Sequence, residues 1–335
     1  MPIPAIHTFQ VDAFTLHRIA LPTPFPVGPV NVYLIPHEGR LLLVDTGVLT
    51  DGSCAALEKA VTHLGFSISQ LDEIHLTHHH VDHCGATQWL CARSQARVFG
   101  HPDIPAYMAQ AHRHNTRHHE YYMRLMKRLG VPDDKAEEAM VLWNQFKTYT
   151  ESFTMHEAYA TGQKVSLFTP YFVPGHSATD TVLFLGEHRV ALVGDHLLSD
   201  VTPNPLMRRS LPGREPAKAL VEYSGSLEIS RGLRLARCFP GHGDVIETPD
   251  AIIDRIATRH EARNQKILKW LSTAGISPYQ LCTLLFPRLN IANLYLGLSI
   301  SLGHLELLEE MGRLHSMEKL GVVCYYRDTD FSEER

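Results

Sequence analysis

The fold assignment rests on the stretch THHHVDH, residues 77–83. It contains the pattern His-x-His-x-Asp-His and directly follows the short segment Ile-His-Leu at 74–76, which predicts a strand. Two imidazoles at i and i+2, with an Asp-His pair at i+4 and i+5, can face two neighbouring cations from a turning loop. Imidazole combined with carboxylate suits zinc, iron or manganese. The stretch therefore predicts a metal site where a strand ends.

Three further candidate ligands follow glycines at predicted strand ends. They are His176 in Pro-Gly-His-Ser, Asp195 in Val-Gly-Asp-His and His242 in Pro-Gly-His-Gly. A glycine before a ligand lets the backbone turn closely beneath it. The pattern thus extends the predicted metal site to other strand ends of the same fold.

The order and spacing of these motifs resemble the metallo-β-lactamase-fold hydrolase superfamily, over about residues 7–247. The resemblance includes the entry segment PVGPVNVY at 26–33 and the strand end DTG at 45–47. It implies an α/β fold, a four-layer αββα sandwich with a dinuclear metal site at one edge. The motifs are specific for fold and metal site, and much less so for substrate.

The resemblance also implies a ligand set and a reaction. The first-metal ligands would be His78, His80 and His176, the second-metal ligands Asp82, His83 and His242, and the bridging carboxylate Asp195. Two divalent ions per chain, zinc first with iron or manganese as alternatives, would share a hydroxide that attacks a carbonyl. Asp82 and Asp195 would then be the catalytic residues.

The chain differs in one respect from the antibiotic-hydrolysing members of this superfamily, because several of them have a cysteine in the segment where this chain has Asp195. This difference narrows the expected class of substrate. A carboxylate there resembles glyoxalase II-like thioesterases and lactonases, and predicts hydrolysis of an ester, thioester or lactone. The alternative is an oxidoreductase similar to persulfide dioxygenases, with one iron on His78, His80, His176 and Asp195. A nuclease or phosphodiesterase and a non-catalytic sensor rank below both.

Two residues next to the motifs have open roles. Asp45 either hydrogen-bonds a ligand imidazole and fixes its tautomer, or caps the turn after its strand. His196, directly after Asp195, either touches the substrate or leaving group or is an ordinary surface histidine.

The chain divides into two predicted domains. Residues 1–247 form the catalytic domain, with a helical insertion at about 103–149, and residues 248–335 form a mainly helical, winged-helix-like domain. Local patterns predict a helix at 53–64 capped by Asp51 or Ser53, a helix at 291–316 and a terminal strand at 322–326. Residues 251–335 carry ten cations and ten acids, which favours packing or homodimer formation over DNA binding.

The amino-acid composition limits the classes of binding partner that we expect. The net charge of −5 does not favour nucleic acid. No uninterrupted apolar run reaches the roughly 18 residues of a membrane span, and the N-terminus lacks a signal-peptide pattern. We therefore expect a cytoplasmic enzyme with a small-molecule substrate and no membrane partner. The six cysteines have no Cys-x-x-Cys pair and are expected to be free thiols.

Overall fold

The structure is a computed structural model that describes residues 3–11, 14–111, 116–271 and 275–327, with backbone only at 111 and 144–147. Its two larger sheets have seven and four strands, and a third sheet has two. The predicted insertion is therefore described without residues 112–115, and the predicted C-terminal domain without residues 272–274 and 328–335.

The seven-stranded sheet is ordered as the chain runs. Its first four strands are antiparallel, and its last four are parallel to one another. The strands are β1 (Ile6–Val11), β2 (Phe14–Leu21), β3 (Val30–His37), β4 (Arg40–Val44), β5 (Glu73–His75), β6 (Arg97–Gly100) and β7 (Glu157–Ala158). The tight turn between β3 and β4 places Glu38 and Gly39 at positive φ.

The four-stranded sheet has the order β11-β10-β9-β8. Strand β9 is antiparallel to both of its neighbours, β8 and β10. Strand β10 is parallel to β11. Its strands are β8 (Thr169–Phe172), β9 (Thr181–Leu185), β10 (Val190–Gly194) and β11 (Arg237–Pro240). A hairpin near the C-terminus pairs β12 (Leu314–Lys319) with β13 (Val322–Arg327).

The helices fall into three stretches of the chain. They are α1 (Asp51–His63), α2 (Val81–Cys84) and α3 (Thr87–Cys91); α4 (Ile104–Ala111), α5 (Thr116–Arg128) and α6 (Asp133–Phe146); and α7 (Ala219–Gly232), α8 (Pro249–Trp270), α9 (Pro278–Leu285) and α10 (Leu294–Glu310).

The central strands are buried on both faces, as the unbroken buried runs of β4 and β10 show. Leu16 and Leu42 of the larger sheet pack with Leu192 and Phe239 of the smaller one in the core between the two sheets. The opposite face of the larger sheet packs on α1, and that of the smaller sheet on α7 and the start of α8. Each sheet thus buries apolar side chains on both faces. This order of helices, sheet, sheet and helices confirms the predicted αββα sandwich.

The helices between β6 and β7 share a core with those of the C-terminal region. Tyr122 and Met126 of α5 and Met140 of α6 belong to the same apolar cluster as Leu281 of α9 and Leu298 of α10. Helix α8 reaches both this cluster and the one under the smaller sheet. The insertion and the C-terminal helices are therefore held together by one core, and the boundary near residue 248 stays a prediction.

Two local predictions are wrong. Helix α1 is capped by Thr50, whose side chain accepts a hydrogen bond from the amide of Ser53, because Thr50 is the last residue with extended backbone. The helix predicted over 291–316 ends at Glu310, and residues 314–319 instead form β12. Gly312, at positive φ, allows the chain to turn between α10 and β12.

Helix α10 belongs to the segment Ile291–Glu310, which is long and apolar enough to cross a membrane by length and composition alone. Half of its most apolar window is buried inside the protein. Its buried residues include Leu298, Leu305 and Leu308 in the cluster shared with α5, α6 and α9. Such burial is typical of a core helix of a globular fold.

Candidate metal centre

Loops after four strands bring the predicted ligands together. His78 and His80 lie in the loop after β5, and α2 carries Asp82 and His83. The remaining ligands follow β8, β10 and β11: they are His176, Asp195 and His242. Because these strands end at the same edge of the sandwich, side chains far apart in sequence converge there.

One cluster consists of three imidazoles. The Nδ1 atom of His80 lies 3.0 Å from Nε2 of His78 and 2.9 Å from Nε2 of His176. The rings meet at steep angles of 81° and 85°, so that nitrogen edges rather than ring faces point inward. Three nitrogens at this separation can hold one cation.

A second cluster lies beside the first. His242 Nε2 is 3.3 Å from Oδ2 of Asp82, and these two residues form a potential ligand group with His83. Asp195 lies between the clusters: its Oδ1 is 3.4 Å from His83 Nε2, and its Oδ2 is 3.5 Å from His176 Nε2 and 3.7 Å from His242 Nε2. Its two oxygens are thus placed to face both candidate cation positions.

Hydrogen bonds on the far side of the rings fix the tautomers of the first cluster. Thr77 Oγ1 donates to Asp45 at 2.8 Å, so its oxygen is left to accept the Nδ1 proton of His78 at 3.1 Å. His176 donates from Nδ1 to the carbonyl of Asn204 at 3.0 Å. Both rings therefore turn an unprotonated Nε2 toward the centre, as metal binding requires.

The second cluster has the same arrangement. His83 donates from Nδ1 to Oδ2 of Asp45 at 2.7 Å, and His242 donates from Nδ1 to the carbonyl of Pro29 at 2.8 Å. Asp45 is itself held by the amide of Thr77 at 2.9 Å. Of the two roles open for Asp45, the structure supports the one in which it orients a ligand imidazole.

Buried atoms without hydrogen-bond partners test whether a metal fits. The Nε2 atoms of His83 and His242 and Oδ1 of Asp195 are all shielded from solvent and have no hydrogen-bond partner. Unsatisfied polar atoms in a protein interior are costly, and three of them pointing at one place indicate a missing charged partner. The residues present therefore fit divalent cations with nitrogen and oxygen ligands.

Charges within the centre shift its pKa values in opposite directions. Burial raises the pKa of Asp195, but His242 and His83 outweigh burial and hold it well below its ordinary value. Burial lowers the pKa of His83, but the surrounding carboxylates, Asp195 first, raise it well above the usual range. Burial lowers the pKa of His78 and His80. The carboxylate of Asp195 is thus ionised, and the imidazoles of His78 and His80 are neutral and ready to bind a cation.

Glycines allow the close packing around Asp195. A Cβ atom on Gly241 would lie 2.5 Å from both Oδ1 of Asp195 and Cε1 of His83. Gly194, at φ +49°, would place a Cβ 2.6 Å from Oγ1 of Thr77. The glycines before the ligands are therefore required by space, in agreement with the sequence prediction.

A cavity of about 670 Å³ opens onto the centre and is lined by His80, Asp82, His176 and Asp195. Aromatic side chains from separate parts of the chain form another part of its wall. The wall residues include Phe25, Tyr107 of α4, Tyr122 of α5, Trp143 of α6 and Tyr295 of α10. The segment predicted as an insertion therefore lines the space above the metal centre.

Comparison with known proteins assigns the chain to a family. The sequence profile described as the Metallo-beta-lactamase superfamily matches residues 25–242, which contain every predicted metal ligand. The chain belongs to this superfamily. The predictions of the fold and of a metal-dependent hydrolase are thereby confirmed.

Relatives of this superfamily member include enzymes and a solved structure. It is 29% identical over 293 residues to the Bacillus subtilis (strain 168) protein named Probable metallo-hydrolase YqjP, covering 87% of this chain and 91% of the relative. This chain is also 24% identical over 247 residues to Thioesterase pkgB of Emericella nidulans, and the alignment covers 74% of this chain and 55% of that relative. A metallo-beta-lactamase family protein of Thermus thermophilus has a TM-score of 0.78 at 26% identity, covering 93% and 98%.

His196 does not reach the cavity of this superfamily member. Its ring is fully buried, and its Nε2 lies 2.8 Å from Oγ of Ser230. Burial lowers its pKa to about 3. The chain turns after Asp195, so the next side chain points into the core against Tyr223. Neither role considered for His196, substrate contact or surface histidine, matches this position.

Sequence reasoning missed several residues of the site. Thr77 connects Asp45 to His78 through two hydrogen bonds. The hydroxyl of Thr179 is hydrogen-bonded to Nδ1 of His79 at 2.8 Å. Arg208 lines the cavity and pairs with Glu222. Thr77 carried a detectable signal, because it begins the ligand motif; Arg208 lies far from any motif and carried none.

Proposed function

We propose that the protein hydrolyses an ester, thioester or lactone with an apolar acyl part, using two divalent cations, zinc first and iron or manganese as alternatives. The observation that carries the proposal is the position of Asp195, whose two oxygens lie within 3.7 Å of imidazole nitrogens from both ligand clusters. A carboxylate between two sets of ligands is suited to bridging a pair of cations.

The chemistry divides between the cations and the chain. When bound, two cations activate a water molecule as the nucleophile and polarise the carbonyl oxygen of the substrate. Asp82 lines the cavity, and His83 and His242 outweigh its burial so that its pKa lies below the ordinary value. As an ionised carboxylate it can accept a proton from water and orient it toward the substrate.

The cavity supports an apolar acyl group. Its lining is mostly apolar and includes aromatic rings of α4, α5, α6 and α10. Burial of an apolar group in such a space contributes about 25 cal/mol per Å². A thioester substrate is supported by the relative named a thioesterase. A small-molecule substrate is part of the same proposal.

The test is a panel of esters, thioesters and lactones hydrolysed by the purified metal-loaded enzyme and its variant Asp82→Ala. We expect turnover of at least one class by the wild type and a loss of at least about 100-fold in kcat for Asp82→Ala, with the fold retained. The exposed Asp254→Ala on α8 serves as the matched control.

Full hydrolysis by Asp82→Ala would contradict the proposed role of this carboxylate. Oxygen uptake with glutathione persulfide, in the absence of hydrolysis of the panel, would contradict the hydrolase proposal and favour thiol oxygenation by a single iron.

A further inference from the structure

A second pocket, of about 320 Å³, lies between helices α8 and α10 and the loop 200–205. Arg259 and Arg263, one turn apart on α8, line it together with His260 and with His304 of α10. None of these residues belongs to the metal centre. Residues 201–204 line both this pocket and the substrate cavity, so the loop separates the two spaces.

The guanidinium of Arg263 is held by neutral groups. Its Nη1 lies 3.3 Å from Nε2 of His304, and Nδ1 of His304 lies 2.7 Å from Oδ1 of Asn264. Because the amide oxygen of Asn264 only accepts, His304 carries its proton on Nδ1 and accepts from Arg263 through Nε2. This chain of hydrogen bonds fixes the orientation of a half-buried cation.

Arg259 is positioned in a similar way. Its Nη1 donates to Oγ1 of Thr202 at 3.1 Å. Among the described residues, neither Arg259 nor Arg263 has a carboxylate within 4.0 Å. By contrast, Arg231 of α7 pairs with Asp254. Of the described residues that line the pocket, Asp200 is the one acid; it is exposed and accepts a hydrogen bond from Oγ of Ser199.

The pKa values of His260 and His304 are lowered by burial and by the same positively charged surroundings. Burial, followed by the charges of Arg263 and Arg259, lowers the pKa of His260 to about 4. Burial and Arg263 likewise lower the pKa of His304 to about 2. Both rings are therefore neutral at pH 7, and the pocket combines two fixed guanidinium cations with neutral hydrogen-bonding groups.

We propose that this pocket binds an oxyanion of the phosphate class through Arg259 and Arg263. Guanidinium groups present paired N–H donors that match two oxygens of a phosphate. The bound anion would supply the opposite charge that both arginines lack. The pocket is also larger than one phosphate group, so it can hold part of the molecule to which the phosphate is attached.

Two sources can supply this phosphate: a group at one end of the enzyme's own substrate, or a separate phosphate-bearing ligand. The shared loop favours neither source. Asn204 lines both spaces, and its carbonyl accepts the Nδ1 proton of the ligand His176. An anion in the pocket thus lies next to a loop that orients the metal centre. The binding site itself does not depend on the proposed hydrolysis.

The first experiment is calorimetric titration of the metal-loaded enzyme with inorganic phosphate. We compare the wild type with Arg259→Gln/Arg263→Gln and with Lys269→Gln, an exposed cation on the same helix. Any phosphate that binds at the metal centre contributes to the measured heat in all three proteins. We expect the double variant to lose the binding due to the pocket, with affinity there reduced at least about tenfold, and Lys269→Gln to behave as the wild type.

The single variant Arg259→Gln covers the case in which the double variant misfolds, because the side chain of Arg259 is exposed. It should weaken phosphate binding about threefold. Binding curves of either folded variant that superimpose on the wild-type curve would overturn the proposal.

A kinetic measurement separates the two sources. We compare hydrolysis of an acyl-pantetheine thioester with that of the same thioester bearing a 4′-phosphate. If the double variant raises KM about tenfold for the phosphorylated thioester alone, the pocket binds a substrate phosphate. If phosphate binding falls while the ratio of the two KM values is unchanged, it binds a separate ligand. If neither thioester is hydrolysed, the thioester part of the proposed function fails, while the titration still tests the pocket.

Discussion

Oδ2 of Asp45 lies 2.7 Å from Nδ1 of His83, and the same oxygen accepts the hydroxyl proton of Thr77. Asp45 sits at φ +57°, a left-handed conformation that asparagine and aspartate tolerate better than other non-glycine residues. This carboxylate therefore connects both ligand clusters, through His83 to one and through Thr77 to the other.

Replacing Asp45 with asparagine should weaken metal binding. The variant keeps the left-handed backbone but brings an amide NH₂ group against donors, which favours the wrong tautomer of His83. We expect an affinity for zinc reduced about 10- to 100-fold, measured by competition with a chelator. The control is Asp51→Asn, an exposed aspartate of α1. An affinity within threefold of the wild type would contradict the orienting role of Asp45.

Gly241→Ala should disrupt the metal centre by steric overlap. Its Cβ would meet Asp195 and His83 at 2.5 Å, and neither neighbour is the end of a long flexible side chain. We expect the variant to bind less than one cation per chain and to lose turnover. Gly225→Ala on α7 is the control, because its Cβ meets nothing within 4 Å. Full metal content in Gly241→Ala would show that the centre is looser than the structure indicates.

The Glu73 carboxylate should stabilise the fold in a pH-dependent way. It contacts Arg40 at 2.5 Å and His75 at 3.0 Å. Burial raises its pKa, but hydrogen bonds from His75 and Ser166 and the charge of Arg40 lower it to about 2, from 4.5. A depressed pKa means that the stabilisation is present above about pH 4.5 and is lost as pH falls toward 2.

Urea unfolding of the metal-depleted protein tests this contribution. Glu73→Gln should lower the free energy of unfolding by about 2 kcal/mol at pH 7, with a smaller difference at pH 3. The exposed Glu58→Gln on α1 should change it by less than about 0.5 kcal/mol. An equal loss for Glu73→Gln at both pH values would mean that shape, rather than charge, determines the role of Glu73.

The aromatic wall should set the preference for the acyl group. The Trp143 ring lies 4.6 Å from that of Tyr122 and 4.0 Å from that of Tyr295, centre to centre. Trp143→Ala should raise KM about tenfold for long or aromatic acyl substrates, through lost apolar contact, and leave acetyl substrates and metal content unchanged. Trp270→Ala, outside the cavity, is the control. An equal effect on all acyl lengths would place Trp143 outside the substrate's path.

The candidate ligands were visible in the sequence because each follows a short strand and, in three cases, a glycine. Strand ends of one sheet edge meet in space, so local patterns predicted a convergence that the structure reports. The backbone groups that fix the tautomers of His176 and His242 carried no such signal, whereas Asp45 was a candidate for this role from its position at a strand end. The carbonyls of Pro29 and Asn204 bond to His242 and His176 from distant segments, and any residue type presents a carbonyl.

The contribution of Tyr295 to the cavity and the strand β12 were missed for different physical reasons. Tyr295 reaches the cavity only because α10 packs on the helices between β6 and β7, a tertiary contact without a local pattern. Strand β12 is exposed at all but its first residue, so it lacks the alternation of apolar residues that identifies a strand.

Metal content tests the central claim most directly. The protein is purified without a tag or chelator, and zinc, iron and manganese are counted per chain by inductively coupled plasma mass spectrometry. Two ligand clusters joined by Asp195 predict about two equivalents per chain in the wild type. A single iron per chain, with the second position empty even after supplementation with metal, would contradict the paired-cation hydrolase.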